Sequence, residues 1–261
     1  MVSSTATTYN DAGLGNCSTY GYAVATLVGS IQSVVSEEVS ATPHVADAVV
    51  VSTPAGGESW QVGTTHAIIW IPTGCNTTAT VSIEYSVNAG ASWTSVATVA
   101  NTGSYSWLVP NTPTADARIR VMWDTVAGIS SGVFTITPIA PPTGVTATAG
   151  SGRATIQWTA SVSESVSGYE IYRGITSGTL SLVGQVGAAT TTYVDMGLLN
   201  ETTYFYAIKT IVGTSASMFS TEVSVMPTAP RLVLIFPNGG ETLDGGTVTT
   251  ATWNSFGEVG N

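Results

Sequence analysis

The chain has 261 residues and carries sixteen Asp and Glu against six Lys and Arg, a formal net charge of −10. So sparse and acidic a set argues against nucleic acid or an anionic membrane surface as partner, because both need clustered Lys and Arg. The first basic residue is Arg118. With 8% of residues charged, solubility falls to Ser, Thr, Asn and Gly, and the length suits two domains of about 100 residues with some remainder.

Residues 1–49 precede the first recognisable module. The most apolar early stretch, 22–35, has no positively charged region ahead of it, as a secretory signal requires. It is also too short and too rich in Gly, Ser and Thr to span a bilayer, so no membrane insertion is expected and the sequence reads as a mature or truncated product. Within this segment Tyr20, Tyr22, Val24, Thr26 and Val28 alternate with small Gly21, Ala23 and Ala25, a pattern suited to a donor strand. Cys17 and Cys75 are the only cysteines: either two separate buried thiols or one disulfide tying the N-terminal segment to the first module. Two cysteines with the scattered His44 and His66 do not make a zinc site, and nothing implies a cofactor.

From residue 50 onward strand-like alternation dominates. Val81, Ile83 and Tyr85 alternate with Ser82, Glu84 and Ser86 before a hairpin signal at Asn88-Ala89-Gly90. Tyr105, Trp107 and Val109 repeat the pattern, and so do Ile119, Val121 and Trp123 against Arg118, Arg120 and Met122. No sustained helical period appears, so an all-β fold of sandwiches is predicted. Pro-rich joints at 137–142 and 226–230 divide the chain, and such joints are semi-rigid, which suits an extended string. The predicted parts are an N-terminal segment 1–49, a first β-sandwich 50–137, a second sandwich 138–230 with its joints, and an incomplete module 231–261. That last part repeats an earlier one: 54–70 reads PAGGESWQVGTTHAIIW and 237–253 reads PNGGETLDGGTVTTATW.

Several positions of the second module carry a resemblance to the fibronectin type III family. Pro141-Pro142 opens it, Trp158 sits on its second strand, Gly168-Tyr169-Glu170-Ile171-Tyr172-Arg173 resembles the third, and Tyr204-Phe205-Tyr206-Ala207-Ile208 resembles the sixth with Tyr204 as its corner tyrosine. The first module resembles Ig-like domains of bacterial secreted and surface proteins, on Pro54-Ala55-Gly56-Gly57-Glu58, Trp60, Gly63 and Trp70. Both resemblances imply extracellular or cell-surface modules, and neither implies an activity.

Chemistry is thinly represented. Ser86–Trp93 resembles the Asp-box hairpin of sialidase-type propellers, which in one copy predicts only a hairpin turn with a buried Trp93. Glu84, Asp116 and Asp124 are the acids that could approach one another as glycosidases require, but isolated acids on a sandwich are ordinarily solvated, and no enzyme is expected. Asn16, Asn76 and Asn200 open N-x-Ser/Thr tripeptides and are candidate glycosylation sites, so glycans, attached or bound, are candidate partners.

Residues 231–261 are too few to fold alone, and Leu232, Leu234, Phe236 and Trp253 would form a candidate acceptor face. Together with 1–49 they approach the length of one module. The expectation from sequence is a non-enzymatic, self-associating subunit of an extracellular filament, assembled head-to-tail with the N-terminal donor strand of one copy completing the C-terminal half-module of the next. The alternative is an accessory or carbohydrate-binding modular region of a larger secreted enzyme or adhesin.

Overall fold

The computed structural model describes residues 5–75 and 80–256, all strand, turn and coil. Packing groups the chain into two units, Met1–Trp60 with Thr65–Trp107 and Thr114–Ile136, and Gln61–Thr64 with Leu108–Pro113 and Thr137–Asn261. No helix among the described residues is long and apolar enough to cross a membrane.

The first strands, β1 (Tyr20–Tyr22), β2 (Leu27–Val28), β3 (Ile31–Gln32) and β4 (Val39–Ala41), form one antiparallel ribbon that contains the candidate donor positions. Tyr20 pairs with Ala41, Tyr22 with Val39 and Val28 with Ile31. Gly29, at φ 61°, makes the tight turn that folds the segment back on itself. The ribbon leaves Val24, Val28, Ile31, Val34 and Val39 exposed.

The Ig-like sandwich follows as β5 (Ala48–Thr53), β6 (Ser59–Gln61), β7 (Thr65–Thr73), β8 (Thr80–Ser86), β9 (Thr94–Ala100), β10 (Ser104–Leu108), β11 (Thr114–Trp123), β12 (Val126–Ile129) and β13 (Phe134–Thr137). One sheet runs β10-β7-β5 and the other β6-β13-β11-β8-β9, with β12 also on β11. Alternate residues are buried over Val81 and Ile83 of β8 and over Ala117, Ile119, Val121 and Trp123 of β11, which is what a period of two yields when one face meets a core. Trp60 packs 4.9 Å from Phe134 and 6.0 Å from Trp107, while the Trp70 indole N–H donates to Asn101 Oδ1 at 2.7 Å. Buried aromatic surface of this kind dominates core energetics, and the hydrogen bond keeps the indole nitrogen satisfied.

The second sandwich comprises β14 (Thr143–Gly150), β15 (Arg153–Thr159), β16 (Gly168–Thr176), β17 (Thr179–Gly187), β18 (Thr192–Met196), β19 (Tyr204–Val212), β20 (Ser215–Ala216) and β21 (Val223–Val225). Its sheets run β14-β15-β18 and β17-β16-β19-β20, with β21 on β19, the fibronectin type III arrangement. The core gathers Ile156 and Trp158 from one sheet with Ile171, Tyr206 and Ile208 from the other. Tyr204 is the corner tyrosine anticipated from sequence: its hydroxyl accepts the Leu199 N–H at 3.0 Å.

The last strands, β22 (Arg231–Phe236) and β23 (Thr252–Phe256), pair only with each other among the described residues.

Candidate functional site

The repeated opening motif folds twice into one shape. In the first copy Val51 pairs with Trp70 and Thr53 with Ile69 across a register shift; in the second Leu234 pairs with Trp253 and Phe236 with Thr252 across the equivalent shift. Both copies have a cis proline, at Thr53-Pro54 and Phe236-Pro237, followed by two glycines at positive φ. The glycines are required there. Gly56, at φ 131°, would place a Cβ 2.6 Å from the Gly132 Cα.

The glutamate of the motif, whose role sequence reasoning did not assign, is the clamp of this turn. Glu58 Oε1 accepts the Ala55 N–H at 2.6 Å and Oε2 the Gly56 N–H at 2.7 Å; Glu241 does the same for Asn238 and Gly239 at 2.8 and 2.7 Å. At Glu58 burial pushes the carboxyl up, but the N–H groups of Ala55, Glu58 and Gly56 together outweigh it and hold the group below its ordinary value. At Glu241 the Asn238 N–H leads the same downward shift. The next turn also repeats, the Thr64 hydroxyl donating to the Gln61 carbonyl and the Thr247 hydroxyl to the Asp244 carbonyl.

What differs is cover. Trp70 is 1% exposed and Trp253 56%; Val51 is 5% exposed and Leu234 51%. In the first hairpin β5 packs against β11 and β12, and β10 extends its sheet, whereas Leu232, Leu234, Phe236 and Trp253 are exposed and meet no such layer among the described residues. This is the predicted acceptor face, and it is bare. An unpaired strand edge beside exposed apolar side chains is a template for added strands.

The predicted donor positions lie in the ribbon. Tyr20 and Tyr22 are half-buried, since their hydroxyls turn back to the preceding coil, Tyr20 accepting the Gly15 N–H at 2.8 Å and Tyr22 donating to Asp11 Oδ2 at 3.2 Å. Val24, Thr26 and Val28 are exposed; Val24 and Thr26 give their N–H groups to the hydroxyls of Ser36 and Ser33. Of the two readings of the cysteines the structure has the disulfide, with Cys17 bonded to Cys75.

The remaining candidates do not converge. Glu84 is held by Arg120, whose Nε donates to its Oε2 at 2.7 Å. Asp116 and Asp124 stand at opposite ends of β11, roughly 26 Å apart at the usual rise of a strand. No three His, Cys, Asp or Glu side chains of the described residues gather as a metal site would need. The Asp-box-like segment is a hairpin turn organised by Ser86 and Asn88, with Ala89 at φ 56°. Trp93, expected to be buried, is only half-buried and lies under the Arg120 guanidinium at 4.4 Å, because it precedes β9 rather than occupying an inward position on it.

Of the candidate glycosylation residues, Asn16 is exposed, Asn200 is half-buried with its Oδ1 accepting the Gly152 N–H at 2.9 Å, and Asn76 lies outside the described residues. A buried polar group that sequence reasoning missed is Asp195, which accepts from Arg173 Nη1 and from the Tyr206 hydroxyl, both at 2.8 Å. Burial, then that hydrogen bond, pushes the Tyr206 phenol far above its ordinary value.

These features define a modular all-β chain of Ig-like and fibronectin type III-like sandwiches with an uncovered ribbon and an uncovered hairpin. No known family matches the sequence, and no curated relative matches it. Among solved structures, a fibronectin type III-like protein from Clostridium thermocellum is 23% identical, with 35% of this chain and 95% of that one covered and a TM-score of 0.31. The chicken CNTN1 FN1–FN3 domains are 17% identical over 82% of this chain and 77% of theirs, TM-score 0.34. Titin domains A168–A170 are 15% identical over 74% and 71%, TM-score 0.35. The fold described above rests on this chain's own strand register.

Proposed function

We propose that this chain is a non-enzymatic stretch of a modular extracellular protein, in which Ig-like and fibronectin type III-like sandwiches act as structural spacers and the uncovered ribbon and hairpin are completed by strands of further modules. The observation that carries this reading is the bare inner face of β22 and β23 in the same register as the covered β5 and β7. Burying side chains the size of Trp253, Leu234 and Leu232 is worth about 1.5–3 kcal/mol each before ordering costs, enough to make an uncovered state a poor resting one. The Cys17–Cys75 disulfide fits an oxidising compartment.

Completion by a second copy, head-to-tail, is the filament expected from sequence. The layer that covers β5 and β7 is a five-strand path, β6-β13-β11-β8-β9, with β10 added at the edge. The ribbon brings four short strands of two or three residues that are already paired with one another, β1 with β4 and β2 with β3, far short of that layer. This favours completion by whole modules. Negative-stain microscopy of the purified chain tests the choice: single particles are expected. Regular fibres that disappear when residues 5–44 are deleted would overturn the spacer reading in favour of head-to-tail strand complementation.

A further inference from the structure

The ribbon has a counterpart inside the chain, and the likeness reaches individual hydrogen bonds. Counting both segments at a constant offset, Thr7-Thr8-Tyr9 aligns with Thr191-Thr192-Tyr193 and Glu38-Val39-Ser40 with Glu222-Val223-Ser224. Tyr20 accepts the Gly15 N–H as Tyr204 accepts the Leu199 N–H, so the ribbon contains a second corner tyrosine. Tyr22 donates to Asp11 as Tyr206 donates to Asp195. The Cys17 N–H reaches the Pro43 carbonyl at 2.8 Å and the Glu201 N–H the Pro227 carbonyl at 2.8 Å, with φ 63° at Cys17 and 62° at Glu201. The strand pairings coincide as well: Tyr20 with Ala41 answers Tyr204 with Val225, and Val28 with Ile31 answers Val212 with Ser215. Even the serine hydroxyls that replace ladder partners recur, Ser36 and Ser33 at Val24 and Thr26, Ser220 and Ser217 at Ile208 and Thr210.

So detailed a match cannot come from alternation alone, which any strand shares. Apart from the shorter strands β1 and β2 and the disulfide at Cys17, the two segments part in what covers them. In the complete sandwich β16 lies along β19, with Ile171 opposite Ile208 and Arg173 opposite Tyr206, and Arg173 gives its Nη1 to the same Asp195 oxygen that the tyrosine uses. Asp11 keeps the tyrosine bond, and no arginine among the described residues stands at it.

We propose that residues 7–43 are the closing half of a second fibronectin type III-like module, and that the surface they present binds one kind of partner, an opening half built like residues 143–187. The partner strand pairs antiparallel along residues 21–27, places an aliphatic side chain opposite Val24, and sets an arginine opposite Tyr22 with its guanidinium on Asp11. A tryptophan-bearing sheet like β15 covers Tyr20, Tyr22 and Val24. This rests on the spacer reading, and it names what completes the ribbon: a fibronectin type III-like opening half, not the Ig-like hairpin β22–β23.

The test is a graft of this chain's own residues 141–190 ahead of Thr7, read by amide hydrogen exchange, with the two native sandwiches as internal folding controls. Amides of residues 21–27 are expected to slow at least about a hundredfold, as incorporation into a cooperative sheet demands. The same graft with Asp11→Asn should lose most of that protection while residues 48–137 keep theirs. Ribbon amides that exchange as fast as in the ungrafted chain, or precipitation of both this graft and a second one joined at residue 138, would overturn the proposal. Fibres from the ungrafted chain would defeat the spacer reading instead and leave the graft result standing.

Discussion

Glu58 and Tyr204 each spend a side chain on backbone groups that a tight turn cannot satisfy by itself. Because the folded Glu58 carboxyl sits below its ordinary value of 4.5, the unfolded chain binds more protons than the folded one in the window just beneath that value. The clamp's stabilisation is therefore fully present above about pH 4.5 and is lost as pH falls through the folded value. Carboxyl NMR titration should give midpoints below 4.5 for both Glu58 and Glu241, and Glu58→Gln should flatten the acid limb of the stability curve. Tyr204→Phe removes the acceptor for the Leu199 N–H and should cost about 1–2 kcal/mol by denaturant unfolding of the second sandwich, leaving the first unchanged.

Two elements of nearly one sequence pattern have opposite environments, which makes a paired mutation informative. Trp70→Ala, in the covered hairpin, should cost about 3–5 kcal/mol, because the cavity it leaves sits in a packed core. Trp253→Ala, in the bare one, should leave the unfolding midpoint unchanged and reduce binding of a hydrophobic dye; a large destabilisation would mean that β22 and β23 are covered in solution. The disulfide joins the ribbon to the segment after β7, so its Cys17 end lies outside the sandwich core. Reduction should raise the exchange rate of the Cys17 amide and shift the melting temperature of the first sandwich by no more than a few degrees, less than the usual 2–4 kcal/mol for a cross-link within one cooperative unit implies.

At the scale of the whole molecule, the chain holds two finished sandwiches, a four-strand ribbon and a terminal hairpin, the last two with apolar side chains that have no cover among the described residues. A chain with such faces should associate weakly or bind dye until they are filled, and removing residues 231–256 should lower the dye signal and leave the share that the ribbon contributes. All-β architecture, the sixth-strand tyrosine and the recurrence of the opening motif were legible in the residues, because a period of two, paired tryptophans and Gly-Gly turns are local signals. Trp93 was misplaced because β9 begins only at Thr94, so Trp93 belongs to the turn and has no inward strand position, and where a strand starts is weakly marked in sequence. The ribbon was read as a donor strand on its alternation, yet alternation says only that a segment pairs, not with what. Its likeness to β19–β21 leaves a faint mark in sequence, Thr7-Thr8-Tyr9 and Glu38-Val39-Ser40 recurring at one offset, but gains its weight from where hydroxyls and backbone amides meet, which exists only after folding. The sequence by itself determined the kind of modules and where one begins again, since turn chemistry and hydrophobic period act over a few residues. Which faces are buried, which carboxylates clamp turns and which strands still lack a layer were decided by tertiary contact, because burial belongs to the neighbours a residue acquires rather than to the residue.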